Sequence, residues 1–174
     1  KPVISLKDLR CPSYPQHPLS LEVSEGEIVG IAGLVGAGRT ELLQTIFGVT
    51  PALSGSLEIS GEVKEIRNPR AAISEGIALA PEDRKQHGLV LPMSVRENSS
   101  LPSLQRDASY GWLNENSERT VTQNAVKSMK IKTPNYEQMA RFLSGGNQQK
   151  IVLGKWLAMS PKLLLLDEPT RGID

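Results

Sequence analysis

The sequence predicts an α/β protein with a sheet of buried strands, and three stretches support that prediction. The first is the apolar run Leu163–Leu166, flanked by Pro161 and Pro169, which is typical of a strand covered on both faces. The second is the apolar run Ile28–Ala32, which leads into a glycine-rich loop. The third is the helical pattern after that loop, because strand, glycine-rich turn and helix in succession are typical of a phosphate-binding α/β core.

The beginning of the chain predicts antiparallel strands. Val3–Leu9 and Leu19–Ser24 alternate apolar and polar residues, which is the pattern of a half-buried strand. Ser56–Ser60 and Val63–Ile66 are separated by a turn containing Gly61, and predict a β-hairpin. Together these segments predict an antiparallel β lobe.

Helix signals follow the glycine-rich loop and recur further on. The first predicted helix carries the apolar residues Leu42, Leu43, Ile46 and Phe47 and stops at Gly48, since glycine commonly ends helices. Pro69–Glu75 predicts a short helix with proline at its start, and Ile77–Ala80 predicts a short buried strand.

The second half of the chain predicts a helical lobe. From Pro92 to Ala140 Ser, Asn and Gln become frequent. Apolar residues at i, i+4 and i+8 indicate an amphipathic helix there, namely Val121, Ala125 and Met129. A further helix follows Gly146 and ends before Pro161. Its predicted buried stripe consists of Leu153, Trp156 and Leu157.

The composition bears on three properties: binding to nucleic acid, the redox compartment and the presence of a membrane span. The 20 Lys and Arg nearly balance the 19 Asp and Glu, and no basic block is present, so nothing indicates a nucleic-acid surface. Cys11 is the single cysteine, which predicts a reducing compartment. No apolar run approaches the roughly 20 residues that span a bilayer. We expect a soluble chain, with a membrane-bound partner still possible, that is truncated after Asp174.

The glycine-rich loop is the strongest candidate for a phosphate site. Its glycines let successive backbone N–H groups face one centre, and the following helix adds its positive end. A threonine stands where such loops hold Mg²⁺, and an arginine stands where they usually have lysine. A plain strand-to-helix turn is the alternative. The candidate residues are Gly33, Leu34, Val35, Gly36, Ala37, Gly38, Arg39 and Thr40.

Two acids follow the last apolar run. Asp167 and Glu168 come directly after Leu166, at the carboxyl end of a predicted strand, where open α/β sheets place ligands. One acid can reach Mg²⁺ while the other orients or deprotonates a water. An ordinary acidic turn is the alternative, and the phosphate loop upstream weakens it.

These stretches resemble a known family. Leu143-Ser144-Gly145-Gly146-Asn147-Gln148-Gln149 resembles the signature of ATP-binding-cassette (ABC) ATPases. Asp167-Glu168 fits that family's Walker B motif, Gly33 to Thr40 its Walker A loop, and Gly172-Ile173-Asp174 its D-loop. The resemblance implies an α/β P-loop NTPase core over 1–174, with an antiparallel β lobe, an inserted helical lobe near 92–142, and truncation after the D-loop.

Four segments together resemble the second cassette of monosaccharide importer ATPases. They are Gly33 to Thr40, Pro81 to Lys85, Leu143 to Lys150 and Asp167 to Asp174. Such proteins carry two fused cassettes and energise uptake of ribose, xylose, galactose or a sugar-like autoinducer. Arg39 and Asn147 depart from the wider family but match this subfamily.

The resemblance implies ATP and Mg²⁺ as cofactors and a role for each matching residue. Thr40 and Asp167 would hold Mg²⁺, and Glu168 would be the catalytic base. Ser144, Gly145 and Gly146 would face the γ-phosphate held by another cassette, fused or dimeric. The implied partners are that cassette, membrane permease subunits and, indirectly, a periplasmic or extracellular sugar-binding protein, with no nucleic acid. The implied location is the cytoplasmic face of the membrane.

Some assignments stay open at this point. Glu82 is a cofactor-binding candidate because it stands where the family's Q-loop usually has Gln, which contacts Mg²⁺ and the membrane subunit, but a solvated charge is an equal interpretation. Tyr14 could stack on adenine, or it could have a role at the protein surface. His17 and His87 are expected to be ordinary surface residues. Arg39 leaves open an alternative in which the chain is a regulatory half-site that binds nucleotide without hydrolysing it. A soluble ABC ATPase that acts on DNA or ribosomes is the other alternative.

Overall fold

Residues 1–108 and 112–170 are described by the computed structural model, so the predicted D-loop at 172–174 lies outside the described residues. The chain divides into two units. The first comprises Lys1–Leu79 together with Lys162–Asp167, and the second comprises Ala80–Pro161 together with the residues from Glu168 onward.

The first unit contains a four-stranded antiparallel sheet. Its strands are β1 (Pro2–Arg10), β2 (Leu19–Ser24), β3 (Ser54–Ile59) and β4 (Glu62–Lys64), in the order β2-β1-β3-β4. Leu6 lies opposite Leu21 and Leu57, so apolar side chains meet across neighbouring strands. This sheet confirms the predicted strands and hairpin.

Two helices accompany this sheet in the first unit. They are α1 (Arg39–Ile46) and α2 (Pro69–Ser74). Asn68 caps α2 by accepting a hydrogen bond from the Ala71 N–H at 2.9 Å, and Gly48 follows α1 with a φ of 77°. Both helices therefore start or stop at residues of the kind that the sequence indicated.

A second sheet has two strands, β5 (Ile77–Ala80) and β6 (Leu163–Leu166). All four residues of β5 are buried. In β6 only Leu165 is buried, and Leu166 is 44% exposed. The strand was predicted correctly, but its burial on both faces was not.

The run Ile28–Ala32 also differs from its prediction. It was predicted as a buried strand, yet it forms no strand, and Ile28 is 97% exposed. Apolar composition favours burial, but a central strand also needs a paired neighbour for its backbone groups. Within the described residues β6 pairs only with β5, so one of its edges has no paired strand.

The second unit is helical. Its α-helices are α3 (Val95–Ser100), α4 (Leu104–Asp107), α5 (Glu115–Met129) and α6 (Gly145–Leu157). A π-helical turn spans Arg84–Gly88, and short 3₁₀ turns span Leu101–Ser103 and Ala140–Phe142. Ser94 and Glu97 form a capping box at the start of α3. The lobe predicted over 92–142 stays a prediction.

The buried face of α6 differs from the predicted one. Trp156 is buried as expected, but Leu153 is half-buried and Leu157 is 46% exposed. The buried residues instead include Ile151, Val152 and Lys155. A Cβ on Gly154 would lie 3.1 Å from the Cβ of Ala125. This close approach of α5 decides which face of α6 is covered.

Lys155 should make the stability of the protein depend on pH in the alkaline range. Its ammonium group is buried, donates to the Gly88 carbonyl, and has a pKa lowered by burial to about 8 from 10.5. Between those values the folded protein has released a proton that the unfolded chain retains. The free energy of unfolding should therefore rise from about pH 8 to about pH 10.5.

Urea unfolding at several pH values tests this expectation. Lys155→Met should abolish the rise and stabilise the protein near pH 7 by about 1–3 kcal/mol, since each pKa unit corresponds to about 1.4 kcal/mol. Lys150→Met is the control on the same helix and should leave the rise in place. An undiminished rise in Lys155→Met would mean that another group titrates.

Candidate functional site

The glycine-rich loop leads directly into α1. The Ala37 N–H donates to the Leu34 carbonyl at 3.0 Å, which closes a tight turn. Gly36 and Gly38 have φ values of 81° and 86°, and Gly38 caps the helix that begins at Arg39. Residues 33 to 37 are exposed. A turn of this kind at a helix N-terminus is suited to bind an anion.

Two side chains of the loop lie in the first turn of α1. Arg39 and Thr40 are both half-buried, and Arg39 has an interaction partner within the protein. The Thr40 hydroxyl is therefore placed at the helix N-terminus, where the sequence predicted a magnesium ligand.

Tyr14 contacts this loop. Its hydroxyl donates to the Gly36 carbonyl at 2.5 Å, and its side chain is half-buried. Its ring lies 3.0 Å from the point that a Cβ on Gly38 would occupy. Tyr14 therefore contacts the glycine-rich loop, and both interpretations, a role at the surface and stacking on adenine, stay predictions.

Replacing Gly38 by alanine should cost more stability than the backbone angle alone explains. The positive φ costs an alanine about 1–2 kcal/mol, and the Tyr14 ring adds a steric clash. Gly61 is a matched control, since its φ is 87° and no atom lies within 4 Å of an added Cβ. We expect Gly38→Ala to cost about 1 kcal/mol more than Gly61→Ala in urea unfolding.

The additional stability cost of Gly38→Ala over Gly61→Ala should vanish in a Tyr14→Ala background, because that change removes the ring. Equal costs of Gly38→Ala and Gly61→Ala in the wild-type background would show that the ring moves away without penalty.

The two acids after β6 have different surroundings. Asp167 is 6% exposed, whereas Glu168 is exposed and has a φ of 45°. A non-glycine residue in the left-handed region stores backbone strain of about 1–3 kcal/mol. Both acids make polar contacts within the protein. One carboxylate is therefore buried and the other exposed, and the division between metal ligand and base stays a prediction.

The segment after β5 is organised by a residue that the sequence analysis did not single out. The Asp83 carboxylate accepts hydrogen bonds from the Lys85 and Gln86 N–H groups at 2.9 and 3.1 Å. It thereby caps the π-helical turn Arg84–Gly88. Glu82 is half-buried and makes polar contacts. An aspartate one residue before a turn is the signal that could have indicated this cap.

The predicted signature forms the beginning of α6. Ser144 is exposed and is the N-cap, and Gly145 and Gly146 are the first two residues of the helix. The Ser144 Oγ accepts hydrogen bonds from the backbone N–H of Asn147 at 3.4 Å and from its Nδ2 at 3.0 Å. The sequence analysis noted Asn147 only as a departure from the wider family.

The predicted site residues are distributed over both units. Gly33 to Thr40 and Asp167 lie in the first unit, and Glu82, Ser144 to Gly146 and Glu168 lie in the second. His17 and His87 are exposed, as expected.

Residues 1–108 and 112–170 lack two kinds of feature. These residues contain no group of three or more His, Cys, Asp or Glu arranged to hold a metal ion. In the same part of the chain no helix combines the length and the apolar composition needed to cross a membrane.

Comparison with known proteins gives consistent results. The ABC transporter family model matches residues 16–171. The ribose import ATP-binding protein RbsA of Rhodopirellula baltica is 51% identical over 162 residues, which cover 92% of this chain and 32% of the relative. RbsA 2 of Escherichia coli O157:H7 is 50% identical, covering 91% of this chain and 31% of its own length. The chain thus spans about a third of these relatives.

Solved structures agree at the level of the fold. A dimeric bacterial ABC transporter cassette superposes with a TM-score of 0.80 at 21% identity, covering 98% of this chain and 76% of that one. A dimeric cassette bound to ADP and Pi gives a TM-score of 0.79, also at 21% identity and with the same coverage of both chains. The predicted α/β cassette fold is confirmed, and the chain belongs to the ABC transporter family.

Proposed function

We propose that this chain is an ATP-binding and ATP-hydrolysing cassette that energises the import of a monosaccharide. One observation carries the proposal: a loop suited to phosphate and a serine-capped glycine signature occur in a chain that is 51% identical to a ribose import ATP-binding protein. The first feature concerns the nucleotide and the second concerns a partner cassette. Ribose is the first sugar to test because of that relative.

The loop from Gly33 to Thr40 would bind the phosphates of ATP. Its exposed backbone and the start of α1 offer N–H donors and a positive helix end to an anion. Thr40 and Asp167 fit Mg²⁺, which prefers hard oxygen ligands and needs few from the protein when phosphates supply the rest. Bound Mg²⁺ would neutralise charge that develops on the phosphates.

Glu168 is the proposed general base. Its carboxylate is exposed, so it can meet a water, whereas the buried Asp167 suits an ion. Glu168 would orient the water and accept its proton, which is how a carboxylate assists attack on a phosphoryl group.

The signature would act on a nucleotide held by a second cassette. Ser144, Gly145 and Gly146 present a hydroxyl, backbone amides and a helix N-terminus, and these groups attract a γ-phosphate. We therefore propose a second cassette, fused or dimeric, as the first partner. Membrane permease subunits and, through them, a sugar-binding protein are the others, at the cytoplasmic face of the membrane. One nucleotide-binding domain over 1–174 with a helical lobe near 92–142 completes this proposal.

A regulatory half-site is the second candidate, and Arg39 favours it. Arginine is a planar fork and lysine a compact point charge, so the exchange alters how crowded phosphates are held. In this alternative the loop binds nucleotide without hydrolysing it, while the signature still serves the partner.

Reconstitution of the intact protein with its membrane subunits in proteoliposomes tests the proposal. Uptake of labelled ribose and ATP hydrolysis should both require Mg²⁺ and should rise together. Nucleic acid or ribosomes should not stimulate hydrolysis, and stimulation by either would instead indicate the soluble class of ABC ATPase. If Arg39→Ala lowers uptake as much as loss of the corresponding lysine in the partner cassette, the half-site alternative is excluded.

A further inference from the structure

We infer that Asn147 is a positioning residue that sets the direction in which the Ser144 hydroxyl donates its proton. This inference rests on the proposed function, because it concerns the serine that would meet a γ-phosphate. It assigns a separate task to Asn147, the fifth residue of the signature that begins at Leu143.

The orientation of the Asn147 amide follows from its partners. One side-chain atom lies 2.8 Å from the backbone nitrogen of Lys132. A backbone N–H can only donate, so that atom must be the acceptor Oδ1. The Nδ2 group therefore faces the Ser144 Oγ, at 3.0 Å.

This orientation occupies the acceptor positions of Ser144. A serine hydroxyl has two acceptor lone pairs and one proton. The Asn147 Nδ2 takes one lone pair, and the backbone N–H of Asn147 makes a longer bond of 3.4 Å to the other. Across residues 1–108 and 112–170 the hydroxyl donates no hydrogen bond of its own. Its proton is thus directed outward, toward any ligand that approaches.

A phosphate oxygen needs such a donor. A hydroxyl that rotates freely can present a lone pair to the anion, which repels it. With both lone pairs engaged, Ser144 can act only as a donor. Donors that are oriented before the reaction cost no reorganisation when charge develops.

The Asn147 side chain is itself held in place. Its partner Lys132 follows Ile131, which is buried. The Lys150 ammonium donates to the Lys130 carbonyl at 3.2 Å, so segment 130–132 is attached to α6 at two points. The amide therefore has a fixed support on one side and Ser144 on the other.

A double-mutant cycle in the intact protein with its membrane subunits tests this inference. Its variants are Asn147→Ala, Ser144→Ala and the combination of both. A typical hydrogen-bond contribution predicts that Asn147→Ala lowers the kcat of ATP hydrolysis about three- to tenfold with little change in KM. In the Ser144→Ala background the same change should lower kcat less than about twofold, because the hydroxyl is already gone.

Two controls separate positioning from support of the fold. Lys150→Met breaks the other attachment of segment 130–132 and should lower kcat less than Asn147→Ala does, because both side-chain hydrogen bonds of Asn147 remain. Asn147→Asp keeps the bond to the Lys132 N–H and replaces Asn147→Ala in the cycle if that variant fails to fold. Asn147→Asp should lower kcat less in the Ser144→Ala background than in the wild type. In the wild type the Ser144 hydroxyl would turn to donate to the new carboxylate.

The outcomes distinguish the inference from the function on which it rests. An equal loss from Asn147→Ala with and without Ser144 overturns the inference and leaves the signature role intact. An unchanged kcat in Ser144→Ala overturns the signature role itself, and the inference with it.

Discussion

Gly145→Asp should abolish the proposed ATP hydrolysis by the intact protein with its membrane subunits while the protein still folds. Gly145 is the first residue of α6, next to the exposed Ser144. A carboxylate there would repel the γ-phosphate and fill the space through which it approaches the backbone amides. Loss of one oriented donor costs about 10²–10³ in rate, and added repulsion should exceed that. The measurement is steady-state ATPase activity, with circular dichroism for folding.

Asn116→Asp is the matched control for added charge. Asn116 is exposed and lies in the first turn of α5, in the same unit. An acid at a helix N-terminus is favourable for the helix, so both variants should fold, yet only Gly145→Asp should lose activity. A folded Gly145→Asp complex with most of its ATPase rate would show that the signature is not used in trans.

Arg96→Met should destabilise the helical unit by about 3–5 kcal/mol. The Arg96 guanidinium lies 3.0 Å from the buried Glu118 carboxylate and 2.9 Å from Glu137. The Ser100 hydroxyl donates to the other Glu118 oxygen at 2.7 Å. Without Arg96 the Glu118 charge stays buried with one neutral donor, and that is the source of the cost. Urea unfolding measures it.

Glu137→Gln is the control on the exposed side of the same network. The Glu137 side chain is 55% exposed, and exposed ion pairs contribute about 0–1 kcal/mol, although the hydrogen bonds from Arg96 lower the pKa of this carboxyl. Arg96→Met combined with Glu118→Met should recover most of the loss, since no charge then remains buried. Equal costs of Arg96→Met and Glu137→Gln would refute the role given to Glu118.

Local pattern predicted much of the fold from the sequence. β2 and β5 run over the predicted residues, Leu19–Ser24 and Ile77–Ala80. The helix after the glycine-rich loop ends just before Gly48, and α6 begins at Gly145. These features depend on side-chain alternation, caps and glycines, which act over a few residues and can be read without the partner segments.

Contacts between distant segments decided the rest. Ile28–Ala32 has the composition of a buried strand but no paired strand, and α6 turns Ile151 and Lys155 inward rather than Leu153 and Leu157. Tyr14 lies against Gly36 and Gly38, and Asn147 bridges Ser144 and Lys132. Composition indicates that a segment can be buried, but the partner that covers it comes from elsewhere in the chain. The sequence by itself therefore determined the family and most of the elements, while the tertiary structure decided burial and the neighbours of each site residue.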